Sequence, residues 1–201
     1  MTIKMQLKKI LEEVLLLTFI KMNKDLERII EIPEGMEINI NGNIVAVRRN
    51  GKELSRVFDL HKISLLSKDG KVIIGAKGAT KRESKMIGTI WAHINNMIKG
   101  LQEDYVYQLE ICNVHFPMNV KIEGDSVVIK SFLGETTKRV SKILPGVKVD
   151  IAGSKISVSS PNIEAAGQTA ANLESATRLT SKDRRIFQDG IFITDKCGRK
   201  I

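Results

Sequence analysis

The 201-residue chain is short of cysteine, histidine, aromatics and acidic charge, and each shortage bears on a class of function. Its two cysteines, Cys112 and Cys197, offer neither a disulfide framework nor metal-ligand spacing, which points to a reducing compartment. The three histidines, His61, His93 and His115, are scattered. No arrangement of them with cysteine or carboxylate has ligand or nucleophile spacing, so no catalytic residue, metal or cofactor is expected. One Trp, two Tyr and six Phe leave little surface on which nucleobases could stack. Recognition of a nucleic acid would then rest on phosphates and groove shape. The apolar run Ile10 to Ile20 is interrupted by Glu12-Glu13 and falls well short of the about 20 residues that span a bilayer, so no membrane partner is expected.

What is present is positive charge. Lys and Arg number 32 against 23 Asp and Glu, a formal net charge of +9 with a pI near 9.6. That balance suits a polyanionic partner, nucleic acid ahead of an anionic membrane surface. A hydrophobic fraction of 42% and a charged fraction of 27% are those of an ordinary globular protein.

The chain also repeats itself. Ile32-Pro33-Glu34-Gly35-Met36-Glu37-Ile38 is echoed by Phe116-Pro117-Met118-Asn119-Val120-Lys121-Ile122. Asn50-Gly51-Lys52-Glu53 is answered by Leu133-Gly134-Glu135-Thr136, and Asp69-Gly70-Lys71-Val72 by Ala152-Gly153-Ser154-Lys155. A period of about 84 residues is too long for a solenoid unit and suits a small domain. In the first copy, Met36, Ile38 and Ile40 alternate with polar residues, and turns at Asn41-Gly42-Asn43 and Asn50-Gly51 mark an antiparallel meander. The period then changes to 3.6. Ile87, Ile90, Trp91, Ile94, Ile98 and Leu101 form one helical stripe that ends near Gly100, read as a C-cap. The second copy follows the same order, its helix running from about Ile163 to Leu179 behind Pro161-Asn162.

The expected fold is therefore α+β, two tandem similar domains, each a mostly antiparallel β-sheet covered by one α-helix. The divisions are a 1–25 extension, a 26–103 first repeat, a 104–181 second repeat and a basic 182–201 segment. Two readings of the extension stand: an amphipathic helix, or residues ahead of a translation start at Met22.

Ile73-Ile74-Gly75-Ala76-Lys77-Gly78 invites two comparisons. As a Walker loop it fails, since Ala76 stands where the lysine belongs. As a KH-type Gly-x-x-Gly loop it is closer, though a strand precedes it where that loop joins two helices. A plain strand-to-helix turn is the default. The loop sustains one alternative function, a free regulatory RNA-binding protein.

Basic clusters occur at Arg48-Arg49-Lys52-Arg56, Lys77-Lys81-Arg82-Lys85, Lys138-Arg139-Lys142, Lys182-Arg184-Arg185 and Lys196-Arg199-Lys200. The last two flank the non-repeated segment Lys182 to Phe192, where paired guanidinium forks beside a glycine suit phosphate oxygens.

The order Asp183, Arg185, Phe187, Asp189-Gly190-Ile191 resembles the C-terminal signature of the large-subunit ribosomal protein six family, archaeal and eukaryotic type. Asn96-Met97-Ile98-Lys99-Gly100, His115 to Val120, Phe132-Leu133-Gly134-Glu135 and Pro145-Gly146-Val147 agree, in order, from Leu26 to the C-terminus. The resemblance implies a structural, non-enzymatic constituent of the cytoplasmic ribosome. Its partners would be large-subunit ribosomal RNA near the base of the acidic stalk and neighbouring large-subunit proteins, with translation factors nearby. It also implies RNA contacts at Lys182, Arg184, Arg185, Gln188 and Gly190, and at Lys196, Arg199 and Lys200.

Overall fold

A computed structural model describes residues 24–68 and 70–201; both readings of the 1–25 extension lie outside that range up to residue 23, and its last two positions, Lys24 and Asp25, open strand β1. The chain divides into two compact units between Ile98 and Lys99.

In the first unit, β1 (Lys24–Glu31) pairs antiparallel with β6 (Lys71–Ala79), which pairs with β5 (Ser64–Lys68). A separate three-stranded meander is made by β2 (Glu37–Asn41), β3 (Ile44–Arg49) and β4 (Lys52–Val57). Alternation puts Val45 and Val47 of β3, and Val72, Ile74 and Ala76 of β6, on buried faces. The helix α1 (Lys81–Gln102) begins with a capping box. The Thr80 amide and hydroxyl both donate to the Glu83 carboxylate, and Thr80 Oγ1 accepts from the Arg82 amide. Ile87, Ile90, Ile94 and Ile98 are its buried stripe, but Trp91 is exposed, with the Arg28 guanidinium 5.6 Å from its ring centre.

The second unit has the same strand order with additions. The sheet β8 (Asn119–Glu123), β9 (Ser126–Lys130) and β10 (Arg139–Lys142) parallels the first meander. The larger sheet has the order β11-β12-β7-β13-β14, with β7 (Tyr105–Cys112) at its centre, β11 (Lys148–Ala152) and β12 (Lys155–Ser160) on one side. On the other side lie β13 (Gly190–Lys196) and the two-residue β14 (Arg199–Lys200). The helix α2 (Ile163–Ala176) is capped by Asn162, whose side chain accepts from the Glu164 amide, and packs on β7, β10, β12 and β13. Leu109, Ile129, Phe132, Ile156, Leu173 and Ile191 lie together in its core.

Four expectations need correction. Gly75 to Gly78 is neither a turn nor a loop between helices: it lies inside β6. Gly78, at φ +60°, forms a bulge opposite Asp25, whose carboxylate takes the Gly78 amide at 2.9 Å. Gly100 is not a C-cap, because α1 continues to Gln102; the position is glycine for want of room. The Asn50-Gly51 turn is a two-residue hairpin, whereas its counterpart in the second unit is a longer connection through a 3₁₀ turn at Phe132–Gly134. Finally, the 182–201 segment is not separate from the second unit's sheet, since Gly190–Lys196 is a full strand beside the central β7.

Candidate nucleic-acid interface

The segment between α2 and β13 is fixed by one buried carboxylate. Asp189, 2% exposed, accepts the amides of Val114 (2.7 Å) and His115 (2.9 Å) on one oxygen and His115 Nδ1 (2.6 Å) on the other. An ionised carboxylate only accepts, so Nδ1 donates. Burial pulls the Asp189 carboxyl upward. The hydrogen bonds from the His115 amide, the His115 ring and the Val114 amide outweigh it and hold the group below its ordinary value. The loop after β7 is thereby tied to the start of β13.

A stack grows from this knot. The His115 ring lies on Phe187 at 4.9 Å between centres, and Lys182 Nζ sits 4.4 Å from the same ring. Asp183 shapes the turn between them. Its side chain takes the Arg185 amide at 2.9 Å and its carbonyl takes the Phe187 amide at 2.9 Å. Arg184 and Arg185 are left exposed on the outside of that turn.

A cleft of about 700 Å³ opens beside the stack, with Arg178, Arg184, Gln188 and Phe192 in its lining. A shallower depression lined by Arg178, Lys182, Asp183 and Arg184 adjoins it. Arg178, Lys182, Arg184 and Arg185 are all exposed, and none is ion-paired with another described residue. Arg178, Lys182 and Arg184 share the depression with the Asp183 carboxylate, and with Arg185 next in the chain these exposed cations suit several phosphates at once.

The sequence-based site residues separate into three sets. Lys182, Arg184, Arg185 and Gln188 form this ledge, with the Gln188 side-chain amide donating to the Arg185 carbonyl at 3.3 Å. Lys196, Arg199 and Lys200 are exposed on the β13–β14 hairpin. They stand about 20 Å along the strand from Gly190 at the ~3.3 Å rise per residue of a strand. Gly190 itself is buried, at φ +155°, with the position of an added Cβ 3.2 Å from the Phe192 ring and 3.4 Å from Thr177 Oγ1. It is a packing residue and not a surface contact.

Other basic clusters are partly occupied within the protein. The Arg139 guanidinium forks onto Glu135 (2.9 and 2.6 Å), donates to the Ala176 carbonyl at the end of α2 (2.9 Å) and covers Phe132 at 4.3 Å. Its hydrogen bond is the chief reason the Glu135 carboxyl lies below its ordinary value. Arg48 pairs with Glu53 at 3.0 Å. The sequence reading missed Arg178, whose role depends on where α2 stops. It also missed the partnership of His115 with Phe187 and Asp189, residues far apart in the chain. Cys112 is half-buried and Cys197 exposed, and burial is the main cause that pushes both thiols up. Among the described residues no group of three His, Cys, Asp or Glu side chains is placed to hold a metal ion, and no helix is long and apolar enough to cross a membrane.

These features define a class: a duplicated antiparallel α+β scaffold whose second copy carries a ledge of exposed cations beside an added strand. The family model described as "Ribosomal protein L6" matches the chain twice, over residues 27–104 and 116–190. A large ribosomal subunit protein uL6 from Methanococcus vannielii is 42% identical over 170 residues, covering 85% of this chain and 93% of the relative. The chain belongs to the ribosomal protein L6 family. The two matched segments agree with the internal duplication, and the second ends where β13 begins.

Proposed function

We propose that the chain is a structural constituent of the large ribosomal subunit, on cytoplasmic ribosomes, where it binds large-subunit ribosomal RNA near the stalk base. Its neighbours there are other large-subunit proteins, and translation factors dock close by. The single observation that carries this reading is the likeness to a large-subunit protein along 93% of that relative's length. The cationic ledge indicates how the RNA is held. Lys182, Arg184 and Arg185, joined by Arg178, neutralise phosphates and release counterions, and Gln188 adds a polar contact. Lys196, Arg199 and Lys200 form a second contact further along β13. Shape dominates specificity, as suits cations presented from a turn held against the sheet to folded RNA.

In this reading residues 26–103 and 104–181 are the two scaffold repeats, and 182–201, with Arg178 just ahead of it, carries the binding. The first repeat acts as a spacer or as a surface for neighbouring proteins.

The test is the double variant Arg184→Ala with Arg185→Ala. Affinity for large-subunit RNA is expected to fall by on the order of 1–3 kcal/mol, and the slope of log affinity against log salt to shrink by about 2, one for each phosphate no longer neutralised. Undiminished affinity and unchanged assembly into large subunits would refute the assignment of these two arginines.

A further inference from the structure

The cleft beside the ledge contains more than cations. Phe192 is 43% exposed and Val114 67% exposed, yet both line the same concavity. Its volume of about 700 Å³ lies within the range of roughly 300–1,000 Å³ typical of sites for small organic groups. Phe187 is committed, with His115 stacked on its ring and Lys182 above it. Phe192 stacks on no other described ring. Its side chain packs against Gly190, where no Cβ intervenes.

The polar groups of the cleft differ in what they leave free. Asp189 accepts three hydrogen bonds from Val114 and His115 on its two oxygens, and Thr177 Oγ1 is engaged with the Glu174 carbonyl and the Ile191 amide. Glu174 also lines the cleft, and a carboxylate there disfavours a phosphate deep inside while accepting from ring N–H or exocyclic amino groups. The guanidinium groups of Arg178 and Arg184 suit phosphates outside it. An apolar, aromatic interior beside paired cations is the chemistry of a nucleotide whose base has left the stack.

We infer that this cleft receives one unstacked RNA nucleotide, its base against Phe192 and its flanking phosphates on Arg178 and Arg184. The inference rests on the RNA-binding reading above and deepens it. One feature of the RNA is then recognised as a base and not only as backbone shape. It also adds one stacked base to the expectation, drawn from the scarcity of aromatics, that recognition rests on phosphates and groove shape.

The test uses the full chain and deproteinised large-subunit RNA, with binding measured across a salt series. Phe192→Leu is expected to bind about tenfold more weakly, the cost of one base stack, with an unchanged salt slope because every phosphate keeps its cation. Phe192→Tyr, which keeps the ring, is expected to retain the parent affinity. Parent-like binding by Phe192→Leu, alongside weakened binding by the Arg184→Ala, Arg185→Ala variant, overturns the base site and leaves the RNA-binding reading standing. Failure of the parent chain to bind that RNA overturns both. Hydroxyl-radical oxidation of Phe192 in the native chain gives the same answer without a variant. RNA alone is expected to protect the ring. Protection that appears only in assembled subunits assigns the cleft to a protein neighbour and overturns the proposal.

Discussion

Gly100→Ala is expected to destabilise the protein by about 3 kcal/mol or more, although alanine is the better helix former by about 1 kcal/mol. The reason is space. A Cβ at Gly100 falls 1.9 Å from the Pro161 carbonyl oxygen and 2.9 Å from Tyr105 Cε2. The first obstacle is backbone just ahead of α2, so no side-chain rotation relieves it, and overpacking outweighs the helix-propensity gain. Gly88, in the same helix, is the control. An added Cβ there meets only the Arg28 guanidinium at 3.8 Å, so Gly88→Ala is expected to stabilise by about 0.4–1 kcal/mol. Denaturant unfolding of the two variants measures both effects, and a stabilised Gly100→Ala would show that helix and strand ends are not this close.

Asp189→Ala is expected to cost on the order of 1–3 kcal/mol, the range for removing a buried group's hydrogen bonds and leaving their partners unsatisfied. It leaves the Val114 and His115 amides without their acceptor and releases the His115 ring. Because His115 backs Phe187 and Lys182 rides on Phe187, RNA affinity should fall with it. The pH dependence has a definite sign. The folded-state pKa of Asp189 lies below its ordinary value of 3.8, so its contribution is complete above that value. It is lost as pH falls through the depressed folded pKa. The parent's stability should therefore decline on the acid side below about pH 4, and this component should be missing in Asp189→Ala. Identical acid limbs for parent and variant would contradict the role given to this carboxylate.

Much of the fold was readable from side-chain periodicity. The alternation of Met36, Ile38 and Ile40, the hairpin turns and the switch to a 3.6 period at α1 each report local backbone geometry directly. Strand β1 was not readable in the same way. Lys24 to Glu31 is mostly charged, and only its pairing with β6 gives Leu26 and Ile30 a reason to alternate inward. Strand β13 was missed for a similar cause: Ile191 is buried because the open edge of β7 lies next to it, a fact of tertiary structure. Gly100 looks like a cap because glycine is usually placed for its backbone freedom, and Gly190 looks like a surface glycine beside the arginine pair. At Gly100 the governing factor is instead a neighbour some sixty residues away in sequence, and at Gly190 the Phe192 ring also presses on the site.

The ledge shows the same division. Lys182, Arg184 and Arg185 stand out in the sequence as a cluster beyond the repeat, and all three are exposed. Sequence spacing could not show that Arg139 is spent on Glu135 and the end of α2, or that Arg178 joins the exposed set. Charge clusters in sequence do not reveal which cations are already neutralised within the protein.

The central claim is that binding sits where the duplication stops. Crosslinking the full chain to RNA in assembled large subunits, with adducts mapped by residue, tests it most directly. Adducts are expected to concentrate between Arg178 and Gln188 and between Lys196 and Lys200. Adducts confined to the first unit, at Arg48 to Arg56 or Lys77 to Lys85, with none beyond Lys182, would contradict it.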